Sequence, residues 1–97
     1  MIEHIVLFRF KAGTQGESQE RILLELRKLK GLVPSILDLS AGFNFSDRNQ
    51  GYELGLVVRL QDQAGLDAYQ VHPEHQRVVK EWIRPNLEQI LALDYNF

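Results

Sequence analysis

The sequence predicts an α+β fold, a four-stranded antiparallel sheet with helices on one face. Three observations predict it. The hydrophobic period alternates between strand-like and helix-like runs in the order βαββαβ, a turn-rich break joins the two middle strands, and 97 residues suit a single domain, 1–97. A chain of this length buries roughly 60–65% of its unfolded surface, enough for one modest core.

The first strand is IEHIVLFRFK, Ile2 to Lys11. Its middle, Ile5 to Phe8, is apolar at every position, so both faces expect cover and the strand should be central. From Ser18 to Val33 the period is helical. Ile22, Leu26, Leu29 and Val33 form one stripe, Gly31 and Pro34 mark the end, and Glu17, Glu20, Arg21, Lys28 and Lys30 solvate the rest.

Ile36 to Phe45 then alternates, with Leu37, Leu39, Ala41, Phe43 and Phe45 on one face and Asp38, Ser40, Gly42 and Asn44 on the other. SDRNQG, Ser46 to Gly51, is the break. Tyr52 to Leu60 resumes as a strand with Tyr52, Leu54, Leu56, Val58 and Leu60 on one side, completing a long hairpin.

Asp62 is placed to cap a helix starting at Gln63. Pro73 to Ile83 reads as a second helical piece, with Pro73 at its first position, Pro85 beyond its end, and Val78, Val79, Trp82 and Ile83 on one side. Leu87 to Phe97 fits a last strand, Leu91, Leu93, Tyr95 and Phe97 alternating with Ile90, Ala92, Asp94 and Asn96. Leu87 to Leu93 alone also fits a continued helix.

Right-handed crossovers close this order into the ferredoxin-like arrangement. Two helices cover one sheet face, yet Ile5 to Phe8 and the Leu54, Leu56, Val58 and Val57 positions offer apolar groups to both. Burying each extra side chain contributes about 1.5–3 kcal/mol, so the expectation is a homodimer whose sheets face each other as an α/β barrel.

Composition narrows the function classes. The formal charge is −2 and the only tight basic group, Arg27, Lys28 and Lys30, sits among leucines, which argues against a nucleic-acid partner. Absence of cysteine removes disulfides and thiolate zinc sites. No apolar run approaches the ~20 residues of a membrane span, and Met1 leads directly into strand-like sequence, so the expectation is a cytoplasmic, soluble protein without membrane association.

The chemistry-bearing stretch is YQVHPEH, Tyr69 to His75. It reads first as a helix start, with Pro73 at the first position, Glu74 in the positive first turn, and His72 as a cap. His72 and His75 supply two nitrogens at helical spacing but no third ligand, so no metal and no cofactor are expected. His4 is polar in an apolar strand and points either into a cavity or to an exposed edge.

HIVLFRFK, AGFNFS, GYELGLVVRL, LDAYQVHPEH and the terminal LDY together resemble the stress-responsive dimeric α/β-barrel family, across essentially the whole chain. The resemblance implies the barrel dimer that the burial argument reaches separately. It also implies a pocket between sheet and helices. In the olivetolic acid cyclase branch of that family, which closes a polyketide by aldol chemistry without a cofactor, the tyrosine and second histidine of this motif form an acid–base pair. By motif position these are Tyr69 and His75. Aldol closure needs a proton taken from carbon beside a carbonyl and a donor to the developing oxyanion, roles an imidazole and a phenol can fill.

His4, His72, Leu26, Leu54, Leu56 and Trp82 are the remaining residues expected to touch a ligand. Leucine and valine dominate this set, which suits a small apolar or aromatic ligand. Three functions follow: a dimer binding such a ligand without turnover, a cofactor-independent cyclase or lyase using His75 and Tyr69, and a structural dimer without ligand.

Overall fold

Four antiparallel strands lie in the order β2-β3-β1-β4 in the computed structural model, which describes residues 1–97. They are β1 (Ile2–Phe10), β2 (Ile36–Phe43), β3 (Leu54–Leu60) and β4 (Leu87–Asn96). α1 (Gly16–Leu32) crosses between β1 and β2; α2 (Gln63–Val71), α3 (Pro73–Val78), a π-helical turn (Val79–Ile83) and α4 (Arg84–Asn86) lead from β3 to β4. β1 is central, as its doubly apolar middle requires: it pairs with β3 on one side and β4 on the other.

The core lies between the sheet and the helices. Ile2, Val6, Phe8 and Phe10 of β1 and Leu54, Leu56, Val58 and Leu60 of β3 are buried against Ile22, Leu26, Leu29 and Val33, the stripe expected of α1. Glu25 is buried in the same helix, which its polarity does not suggest. Its carboxylate meets Lys28 Nζ at 2.9 Å and Arg77 Nη1 at 3.2 Å. The Lys28 ammonium beside it, and then the hydrogen bond from Arg77, hold its pKa below the ordinary carboxylate value against the effect of burial.

Several sequence expectations are corrected. β2 ends at Phe43, and Phe45 is fully exposed. A bulge at Leu37 pairs Ile36 with Leu60 and Asp38 with Arg59; it turns Leu37 out and puts Ile36 into the core. β3 starts at Leu54 rather than Tyr52, and α1 starts at Gly16 rather than Ser18.

Pro85 lies within the helical path, not beyond it. Ahead of it the chain widens, with the Arg84 N–H bonding to the Val79 carbonyl five residues back, and Pro85 enters the short α4 near its start, where its missing N–H is least costly. Leu87 to Asn96 is strand throughout, because the chain from Leu87 onward pairs with β1 rather than closing helical bonds.

Asp62 caps α2 as expected, its Oδ1 accepting from the Gly65 N–H at 2.9 Å. Asp62→Ala is expected to lower stability by about 1 kcal/mol in urea unfolding, the usual loss for an N-cap side chain. An unchanged midpoint would show that this bond contributes nothing.

The opposite sheet face has no helix. Leu7 and Ile5 of β1 stand beside Leu91 and Leu93 of β4 and Val57 of β3, and Leu91, Leu93, Tyr95 and Phe97 are each about half exposed. Two polar groups on this face pair with each other: Arg59 Nη2 donates to Glu3 Oε2 at 2.8 Å, and its guanidinium lies 4.9 Å from the centroid of the Phe97 ring. No helix is long and apolar enough to cross a membrane.

Candidate functional site

Between the helices and the β1/β4 half of the sheet is a cavity of about 230 Å³. Its walls are almost all apolar: Val6 and Phe8 from β1, Leu56 from β3, Leu26 from α1, Val78 from α3, Val79 and Ile83 from the π-helical turn, and Ile90 and Ala92 from β4. His4, Tyr69, Gln70 and His75 are the residues with polar groups that line it.

Strand alternation turns His4 inward. It shares the helix-side face with Ile2 and Val6 and is only 7% exposed, which corrects the alternative of an exposed edge. Directly across the β1/β4 ladder stands Asp94, and His4 Nδ1 donates to its carboxylate. That bond fixes the tautomer and leaves Nε2 as the acceptor of the ring.

Tyr69 comes from the buried side of α2 and sits between the histidines. Its ring is 5.7 Å from His4, edge to face, and 4.5 Å from His75, tilted. Burial pushes its phenol up to about 12, so at neutral pH it is a hydrogen-bond donor and not a base.

His75 is in the first turn of α3. Its Nδ1 lies 3.0 Å from the Gln70 carbonyl oxygen, which can only accept, so Nδ1 carries the proton and Nε2 is free to take one. Its pKa lies below 6.5. Burial is the largest cause, opposed by the Gln70 bond and reinforced by His4 and His72, so desolvation rather than the helix dipole leads.

α3 is held in place by charge as well as packing. Arg77 reaches back to Glu25 on α1 and bonds Glu74 Oε2 at 3.2 Å within its own turn. Arg21 on α1 lies over the Trp82 ring at 5.2 Å.

The residues named from sequence thus separate. His4, Leu26, Leu56, Tyr69 and His75 line one cavity. His72 does not: its Nδ1 accepts from the Glu74 N–H at 3.1 Å as the cap of α3, so YQVHPEH is both a helix start and part of a cavity wall. Leu54 is sealed in the core away from the cavity, and Trp82 is turned toward α1. Asp94 and Gln70 are the participants that sequence reading missed. Asp94 carried a signal, a carboxylate in an otherwise apolar last strand, but its partner is 90 residues away. No three His, Asp or Glu side chains come together in a metal-binding cluster.

Comparison with known proteins agrees with this architecture. The model of the stress responsive A/B barrel domain matches residues 2–97. An uncharacterized protein of Streptomyces coelicolor is 33% identical over 100 residues, covering 100% of both chains. Among solved structures, a protein of unknown function from Thermobifida fusca, described as dimeric and ferredoxin-like, superposes with a TM-score of 0.88 at 27% identity, over 99% of this chain and 90% of that one. The hydroxynitrile lyase of Passiflora edulis shares the fold, with a TM-score of 0.86 at 21% identity over 97% of this chain and 90% of its own.

Proposed function

The chain belongs to the stress-responsive A/B barrel domain family, and from that premise we propose that it works as a homodimer binding a small, largely apolar molecule in the cavity of each protomer. The observation that carries this reading is the convergence of His4, Tyr69 and His75 on one otherwise apolar space. Such a lining takes an apolar or aromatic ligand and orients it through one or two polar groups, the usual composition of a small-molecule pocket. Self-association is supported by the unpartnered apolar sheet face and by the dimeric description of the Thermobifida fusca relative.

A second reading, a cofactor-independent cyclase or lyase, is favoured by the tautomer of His75. With Nδ1–H committed to Gln70, Nε2 accepts a proton from carbon beside a ligand carbonyl, while the Tyr69 hydroxyl donates to the oxygen on which charge develops. His4, oriented by Asp94, supplies a second acceptor nitrogen on the far side of the tyrosine ring. The low pKa of His75 keeps this base unprotonated at neutral pH.

Histidine-ring NMR tests both readings. His75 is expected to titrate with a midpoint below 6.5. Because the folded state then binds this proton less readily than the unfolded chain, the stability tied to neutral His75 is complete above about pH 6.5 and declines as pH falls below it. Titration with phenols, aryl ketones and fatty acyl compounds is expected to give saturable shifts at His75 and Tyr69. Rings that ignore every compound would leave the cavity as plain core; saturable binding followed by proton exchange at the carbon beside a ligand carbonyl would establish the second reading.

A further inference from the structure

The cavity does not end at Ile83 and Ile90. On their far side runs a groove of about 370 Å³ between the π-helical turn, α4 and the start of β4, and it shares Val79, Ile83 and Ile90 with the cavity. Those three apolar residues line both spaces. Ile90 is half exposed, on the edge strand, and is the one of the three least confined by packing.

The two spaces differ in their ends. The cavity terminates at His4, Tyr69 and His75. The polar lining of the groove is Arg84, Glu88 and Gln89, of which the first two carry charge. Glu88 is already answered, its Oε2 lying 3.5 Å from Arg9 Nε, and Gln89 accepts from the same guanidinium. Arg84, exposed on α4, has no carboxylate on it, so the unbalanced charge at this end is positive.

We infer that cavity and groove form one elongated site for an amphiphile with an unbranched apolar chain and a terminal carboxylate. The chain lies between Val79 and Ile83 on one side and Ile90 on the other, the carboxylate meets Arg84, and the opposite end reaches the Tyr69 and His75 rings. This rests on the small-molecule reading above and adds to it the class of ligand and its direction. Arginine suits the task because its planar fork matches a carboxylate in two parallel hydrogen bonds. Arg84 is exposed, so the gain is moderate and falls with salt.

Calorimetric titration of the whole chain with octanoate, octanol and octylamine tests the inference. Octanoate is expected to bind about fivefold tighter than octanol at low ionic strength, the advantage shrinking toward parity in about 0.5 M salt. Arg84→Gln should remove the advantage while leaving octanol binding unchanged, and circular dichroism should confirm that the variant remains folded. Equal affinity for octanoate and octanol in the wild type, or a preference that survives Arg84→Gln, overturns the carboxylate assignment and leaves the small-molecule pocket standing. A preference for octylamine overturns it in favour of Glu88. If no probe binds and the NMR library also fails, the pocket reading falls and this inference with it.

Discussion

Leu93→Asp should turn the protein into a monomer. Leu93 faces away from the helices, opposite Ile5 and next to Leu91, in the middle of the one sheet face that nothing covers. In a two-fold dimer with sheets face to face, one substitution acts twice. Each aspartate would have to leave water without a partner, at a penalty of several kcal/mol per ion, against the about 1.5–3 kcal/mol that burying the leucine contributes. The protomer itself should be little affected, because Leu93 is half exposed in it. Light scattering after size exclusion is expected to give twice the 11.2 kDa chain mass for the wild type and the single mass for the variant. A wild-type monomer at micromolar concentration, or a variant that stays dimeric, would remove this face as the dimer contact.

Tyr69 should separate packing from chemistry. The ring is 1% exposed and touches both His4 and His75, so Tyr69→Ala opens a void under α2 and is expected to cost about 3–5 kcal/mol, as large aromatic truncations do. Against the 5–15 kcal/mol typical of a domain, that is a large share. Tyr69→Phe keeps the ring and loses only the hydroxyl. Stability should then change by about 1 kcal/mol or less, while affinity for carbonyl-bearing ligands falls by about tenfold, the equivalent of one hydrogen bond. Urea unfolding and calorimetry read the two effects separately. Unaltered ligand affinity in Tyr69→Phe would reduce the tyrosine to a packing element and take the proton-donor role with it.

Much of this was legible in the residues. The stripe Ile22, Leu26, Leu29 and Val33, the alternation from Leu54 to Leu60, the cap at Asp62 and the doubly apolar middle of β1 are local patterns. Each maps onto its element because a period of two or 3.6 decides which side chains share a face. Where the pattern was followed one step too far, a local irregularity intervened: the bulge at Leu37 swapped the face of the first residues of β2, and the π-helical turn carried the helical path through Pro85.

The candidate site was legible only in outline. YQVHPEH marked Tyr69 and His75, but the division of labour within it required coordinates: His72 caps α3 while His75, three residues later, faces the cavity. His4 was ambiguous until β4 was set beside β1, because the partner that buries and orients it, Asp94, is reached through strand pairing and not through spacing. The same holds for Glu25 and Arg77, which join α1 to α3 across 52 residues.

By itself, the sequence determined the order of elements, the side that β1, α1 and β3 present to the core, and the surplus of apolar surface on the sheet, since these follow from side-chain periodicity along a short run. The tertiary structure alone decided which polar groups meet. Ladder register put His4 on Asp94, the turn between α2 and α3 put His75 on the Gln70 carbonyl, and the π-helical turn, α4 and the start of β4 together placed Arg84 in the wall of an apolar groove. Hydrogen bonds and ion pairs act only over a few ångströms, so their partners are chosen by how distant segments are brought together, which no local period records.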